Sequence, residues 1–334
     1  MWSLTEEEKE LEPIRFVGRF VEMPLYGIFR RLQAEMQVWR VGDPPIAFDV
    51  VDPDASVIHY TGEVLENGAI YRSYRCWLEL CEQLDGRFLT PQGLGDGFVR
   101  LRILPLGFED SWHERARPSG DREKYGAHTE FSRIDKLEEP SFLVDYVDAL
   151  ERLELPETAE ILNLGINKGD EFAIFSQLYP PSVYEAMRFV GVDHASSALA
   201  VARARFPSER FRWIDADLND LASLGLGRYD LIVSIATLHS PALRSREIFH
   251  DLVRLHLKPT GHIILGFPNC RYLDHEIRYG AKMKNYTRPE LSVLFHEVAY
   301  HKRYLQQHRF RVTVTGKHTL LLTGKRLPSD SALS

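Results

Sequence analysis

The stretch Glu160-Ile161-Leu162-Asn163-Leu164-Gly165-Ile166-Asn167-Lys168-Gly169-Asp170 decides how the chain is read. An apolar run of strand type stops at a turn that holds Gly165 and Gly169, and acidic residues follow at once. Farther on, Phe189-Val190-Gly191-Val192 runs into Asp193, and Phe211-Arg212-Trp213-Ile214 runs into Asp215-Ala216-Asp217. Successive apolar runs that stop at glycine or at an acid outline parallel strands whose carboxyl ends meet a nucleotide.

The pattern continues downstream. Strands are expected at 160–165, 188–193, 211–214, 229–235 and 261–267. Helical patterns fit between them at 170–180, 196–206, 217–223 and 245–257. Strands that alternate with helices imply an α/β fold, a parallel sheet with helices on both faces. A polar insertion at 268–288 and a helix from Pro289 to His308 come next. Residues 309–315 and 318–323 then pair across Gly316-Lys317, which places an antiparallel strand in the sheet.

The first half reads as a smaller, β-rich α+β domain. Thr5 caps an expected helix over 5–12, and Leu25, Phe29, Leu32 and Met36 recur at helical spacing. Strands are expected at Gln37–Val41, Ile46–Val51 and Val57–Leu65, where β-branched and aromatic residues collect. Asn67-Gly68 is a hairpin signal, and residues 70–84 fit a helix with a buried aromatic face. Phe88-Leu89 and Phe98–Leu104 flank the Gly93–Gly97 turn, read as a plain hairpin loop. Residues 109–140 are polar yet hold Trp112, His113, Tyr125, His128 and Phe131, a linker or lid. Phe142–Leu153 is a further expected helix. The expected division is therefore 1–110, an accessory or substrate domain; 111–140, the linker or lid; 141–327, the α/β domain; and 328–334, a tail.

Composition narrows the class. The hydrophobic content is 44% and the charged content 27%, ordinary for a globular chain. No apolar run approaches the roughly 18 residues of a membrane helix, and the acidic N-terminus lacks the apolar core of a signal peptide. Three cysteines, Cys76, Cys81 and Cys270, without a CxxC pair, suit a reducing compartment, the cytoplasm, and argue against a metal site. The net charge is −7, but residues 271–326 hold twelve Lys or Arg against four acids. Such asymmetry marks either an anionic partner or a solvated face.

The C-terminal half resembles the class I S-adenosylmethionine-dependent methyltransferases, a Rossmann-like seven-stranded sheet with an antiparallel last strand. The family's first turn has three alternate glycines after an acid. Here Gly165 and Gly169 match, Asn167 stands at the middle glycine, and Asn163 stands at the acid. Asn tolerates left-handed backbone next best after glycine. At Asn163 an amide replaces the carboxylate that receives the cofactor's methionine amino group, a charge that Asp170 or Glu171 could supply. The resemblance implies that Asp193 accepts from the ribose hydroxyls with His194 beside it. It implies that Asp217 bonds the adenine amine, with Asp215 the alternative, and that the Leu218 amide reaches a ring nitrogen. Ser234 to Thr237 would line the cofactor, and His239 would be a general base or a structural histidine. The segment after strand five covers the substrate in this fold. Tyr125, Arg133, Asn269, Arg271, Tyr272 and Tyr279 are therefore the substrate-side candidates.

These implications converge on an enzyme that moves a methyl group from S-adenosylmethionine to an oxygen or nitrogen nucleophile, with a small molecule as acceptor. An Asn-Pro-Pro-Tyr or Asp-Pro-Pro-Tyr tetrapeptide is absent from the sequence. Two alternatives stay open. One is an RNA methyltransferase that uses the basic 271–326 segment and its tyrosines. The other is a binding or regulatory protein on a degenerate fold of this type. A homodimer through the first domain is compatible with each.

Overall fold

The structure, a computed structural model, describes residues 13–54, 58–107, 125–280 and 291–328. The helix expected at 5–12 and much of the polar stretch before Tyr125 lie outside the described residues. So do residues 281–290, with Lys282, Lys284, Asn285 and Tyr286. The chain divides into two compact units. One takes the described residues up to 107 together with Tyr272–Arg278, and the other takes the rest.

In the first unit, β1 (Arg15–Arg19), β2 (Ile46–Val51), β3 (Gly86–Gly95) and β4 (Phe98–Pro105) form a sheet of order β1-β2-β4-β3. β1 runs parallel to β2, and the other pairings are antiparallel. Along β4 the alternation is strict: Val99, Leu101 and Ile103 are buried, while Phe98, Arg100 and Arg102 are not. The buried row packs with Phe48, Leu32 and Trp77, the last two from helices Leu25–Val38 and Tyr74–Gln83. Asp49, buried in β2, is held by Arg100 directly across the ladder at 2.8 and 3.2 Å. The β3–β4 turn is Asp96-Gly97, both at positive φ (53° and 77°), the geometry a two-residue hairpin needs.

Two expected strands of this unit do not form. Gln37 and Val38 finish the first helix instead, and Trp39–Gly42 leaves it, with the Trp39 indole donating to the Pro44 carbonyl. Over the described residues of Val57–Leu65 the chain makes turns, and Val64 forms a lone bridge to Ile70. The Glu63 carboxylate takes the Tyr60 amide and the His59 ring, so local side-chain bonds displace a ladder. Ile58, Tyr60 and Val64 stay exposed, so no core rewards a strand there.

The second unit is the expected α/β sheet. Its strands are β5 (Glu160–Leu164), β6 (Arg188–Asp193), β7 (Phe211–Asp215), β8 (Tyr229–Ile235), β9 (Leu257–Pro268), β12 (Phe310–Thr315) and β13 (Thr319–Arg326). The order is β12-β13-β9-β8-β5-β6-β7. β5 to β9 are parallel, and β13 runs antiparallel to both neighbours. β8 is buried along its whole length, as a central parallel strand covered on both faces must be. Helix Pro140–Glu151 covers one face through Phe142, Tyr146 and Leu150. Phe249 and Leu252, with Val298 and Leu305 of helix Ser292–Gln307, cover the other. The insertion after β9 contains a hairpin, β10 (Cys270–Leu273) with β11 (Glu276–Tyr279). The helix expected at 170–180 is instead two short turns, Asp170–Ala173 and Phe175–Leu178.

No helix among the described residues is long and apolar enough to cross a membrane.

Candidate functional site

Parallel β5, β6, β7 and β8 bring their carboxyl ends to one edge of the sheet, and the turns leaving them are adjacent there. The turn after β5 places Gly165, Asn167 and Gly169 in the left-handed region, with φ of 73°, 49° and 90°. Three alternate left-handed residues bring the backbone close to whatever lies above. Asn167 holds the middle position because Asn is among the few side chains that tolerate it. The Gly165 and Ile166 amides both donate to the Val192 carbonyl, which fastens the turn to β6.

A side chain at Gly165 would have no room, since a Cβ there would overlap the Thr237 side chain. Gly165→Ala is therefore expected to lower stability by about 2–4 kcal/mol, from left-handed backbone and overpacking together. Urea denaturation checks this, and Thr237→Ala in the same protein should recover part of the loss.

Asp193 ends β6 and is buried. Its Oδ2 accepts the Asn167 amide at 2.8 Å and its Oδ1 accepts the Ala195 amide at 2.9 Å. A carboxylate accepts about four hydrogen bonds, so each oxygen keeps capacity for a hydroxyl donor. The His194 Nδ1 lies 3.7 Å from Oδ1. The next turn is tied in by the Ala216 amide, which donates to the Asp193 carbonyl. Asp217 caps the following short helix by accepting the Asn219 amide at 2.8 Å, and Leu218 is buried behind it. The Asp215 carboxylate is taken by the Ser196 hydroxyl.

At the end of β8, Ser234 is buried with its hydroxyl 3.5 Å from the Leu164 carbonyl. The Thr237 hydroxyl lies 3.1 Å from the same carbonyl and 3.0 Å from that of Ile235. Ala236 between them has φ of 55°, strained backbone for a residue with a Cβ, held by the hydrogen bond that its N–H donates to the Gly266 carbonyl. His239 stands two residues beyond Thr237, open to solvent yet crowded enough by protein that desolvation lowers its pKa. A lowered pKa keeps the imidazole neutral near pH 7, the form that accepts a proton.

Two buried polar groups stand out. Asn163 is fully buried, and neither its amide oxygen nor its amide nitrogen has a hydrogen-bond partner among the described residues. Native structures hold few such groups. Glu171 is buried at the start of the short helix after Gly169, and its pKa is pushed up to about 8, first by burial and next by Asp170. Burial raises the Asp170 pKa as well, but there Arg205 at 2.6 Å and Lys168 at 3.7 Å pull the other way.

The substrate-side candidates are dispersed. Tyr125 is half-buried and its carbonyl accepts from the Asn167 side chain, so it joins the turn after β5; Arg133 is exposed. Asn269 is buried and bonds backbone of the β12–β13 turn, through its amide to the His318 carbonyl and its Nδ2 to the Lys317 carbonyl. Arg271 donates to the Gly280 carbonyl across the hairpin base. Tyr279 is 42% exposed, with His318 at a ring distance of 6.3 Å, and Tyr272 belongs to the first unit. Thr237 was expected along the cofactor, whereas Lys168 and Ser197 were given no role from the sequence, because each acts through a bond across the fold.

The sheet order and the left-handed turn define a Rossmann-like methyltransferase fold in the second unit. Residues 162–265 match a family model described as a methyltransferase domain. The resemblance to class I S-adenosylmethionine-dependent methyltransferases thus holds over residues 162–265. Among solved structures, a SAM-dependent methyltransferase from Aquifex aeolicus is similar at 17% identity and a TM-score of 0.41, covering 59% of this chain and 98% of its own. An O-methyltransferase family protein from Burkholderia thailandensis is similar at 17% identity and 0.42, covering 63% and 64%. A TehB-like SAM-dependent methyltransferase from Corynebacterium glutamicum is similar at 18% and 0.36, covering 55% and 87%. None of the curated proteins matches the chain.

Proposed function

We propose that the second unit binds S-adenosylmethionine at the carboxyl ends of β5 to β8 and passes its methyl group to an oxygen or nitrogen nucleophile of a small molecule. The observation that carries this reading is the Gly165–Gly169 turn set against the Asp193 carboxylate, within a sheet of this strand order.

The residues present fit such a group. The backbone at Gly165 can approach it without a Cβ. Asp193 retains acceptor capacity for ribose hydroxyls, and Asp217 with the Leu218 amide would address the base. Glu171 is the buried carboxyl that would receive the amino group, since Asp170 is engaged by Arg205. The orphaned Asn163 amide would find a partner in the same place. When bound, the cofactor supplies an electrophilic methyl on a sulfonium. The protein's part is to hold the acceptor in line and to exclude water. His239 would take the proton of an acceptor that must lose one.

The small-molecule reading is preferred to RNA because several basic residues of the segment are engaged within the fold. Lys325 pairs with Glu154, Arg326 donates to the His308 carbonyl over the Phe310 ring, and Arg271 and Arg278 donate to main-chain carbonyls. The three cysteines are free, in keeping with a cytoplasmic setting. Incubation with labelled S-adenosylmethionine and fractionated metabolite or RNA pools tests the proposal. Label in the small-molecule fraction is expected. Label in RNA alone would replace this reading with the RNA one, and binding without transfer would favour a regulatory role.

A further inference from the structure

We propose that residues 125–134 form a roof over the cofactor site, and that Asn167 and Lys168 are the positioning residues that fasten it. The inference rests on the S-adenosylmethionine reading for what lies beneath, but the fastening is read from bonds within this unit.

The segment is anchored at both sides of the Asp193 carboxylate. On one side, the Asn167 Nδ2 donates to the Tyr125 carbonyl at 2.7 Å. On the other, the Ala127 amide donates to the Ser197 Oγ at 2.8 Å, in the first turn of helix Ser196–Arg205. Asn167 and Ala195 are also the residues whose amides the Asp193 carboxylate accepts. Residues 125–127 therefore bridge the two segments that flank the carboxylate assigned to the ribose. The far end is fastened by Lys168, whose Nζ donates to the Ser132 carbonyl at 2.9 Å and to the Ile134 carbonyl at 2.8 Å. Asp170 lies 3.7 Å from the same ammonium, an ion pair beside the two hydrogen bonds.

Between the anchors the segment is closed on itself. The Thr129 hydroxyl donates to the Gly126 carbonyl, and the Ser132 hydroxyl lies 2.8 Å from the Ala127 carbonyl and 2.7 Å from that of Thr129. The Tyr125 and Phe131 rings meet edge to face at 5.1 Å. It would thus move as one piece.

This accounts for the departure at position 167. A glycine would give the left-handed turn, but it would not give the bond to Tyr125. It also moves Tyr125 from the acceptor side of the reaction to the cofactor side. A roof fastened in this way slows both entry and exit of the cofactor, so loosening it changes rates more than affinity.

The test is S-adenosylhomocysteine dissociation by stopped flow, with amide hydrogen exchange of residues 125–134 in the free protein. Lys168→Met is expected to raise the dissociation rate about ten-fold or more and to speed exchange at the Ala127, Ser132 and Ile134 amides. Asn167→Gly keeps the turn and should act in the same direction, and Lys168→Arg should restore both readouts. Parental exchange and dissociation rates in Lys168→Met would overturn the fastening. Faster exchange with an unchanged dissociation rate would overturn the roof. A parent protein that binds no S-adenosylhomocysteine would overturn the functional reading and the roof with it, while the exchange data would still report on the fastening.

Discussion

At pH 8 the Glu171→Gln protein is expected to be more stable than its parent by an amount on the order of a few kcal/mol, and near pH 4.5 the two are expected to be alike. The Glu171 carboxyl is buried, and its pKa rises from 4.5 to about 8, by burial first and then by Asp170, with Asp193 adding to it. The folded protein therefore holds a proton that the unfolded chain has lost between those two values. The Glu171 contribution to stability is full below pH 4.5, falls as pH rises toward 8, and levels off above it. Gln mimics the protonated form at every pH, so its curve lacks this slope. Urea denaturation at pH 4.5, 6 and 8 measures the difference, and an identical pH dependence in the two proteins would contradict it. The same substitution is expected to weaken cofactor binding, since a neutral amide attracts an ammonium less than a carboxylate does. A residue that costs stability in the empty protein and contributes affinity in the loaded one is a usual feature of binding sites.

Asp193→Ala should lose on both counts. It removes the acceptor of two backbone amides, Asn167 and Ala195, which hold the turn after β5 and the entry to the next helix. Hydrogen bonds to a charged partner contribute roughly 1.5–3 kcal/mol each, part of which water recovers once the site opens. A loss of about 2–4 kcal/mol is expected, together with at least a ten-fold weaker cofactor affinity. Asp193→Asn, which retains one acceptor oxygen, should fall between the two in stability and still lose affinity. Stability and affinity that both survive Asp193→Ala would remove this residue from the centre of the site.

Particular residues explain what could be read in advance. β5, β6 and β8 were legible because buried parallel strands are continuous apolar runs, and Gly165 and Asp193 punctuate their ends. The antiparallel pair was legible from Gly316-Lys317 between two β-rich runs. Val57–Leu65 misled because its residues suit a strand, while Ile58, Tyr60 and Val64 are exposed and found no core to pay for one. Gln37 and Val38 misled because they continue a helix whose apolar stripe starts at Leu25. The basic segment left an anionic partner or a solvated face open, yet Arg271, Arg278, Arg309 and Arg326 donate to carbonyls, which depends on where the chain returns in space. Lys168 and Asn167 read as local turn residues, and their bonds to Tyr125, Ser132 and Ile134 cross more than thirty positions of sequence. Glu171 was legible as a charge near the turn; its burial, and hence its pKa, was not.

The central claim is that the carboxyl ends of β5 to β8 hold S-adenosylmethionine through Asp193. Titration calorimetry of S-adenosylmethionine into the protein and its Asp193→Asn variant tests it most directly. Saturable binding to the parent protein, weakened at least ten-fold in the variant, is the predicted result; no binding to the parent, or equal binding to both, would contradict it.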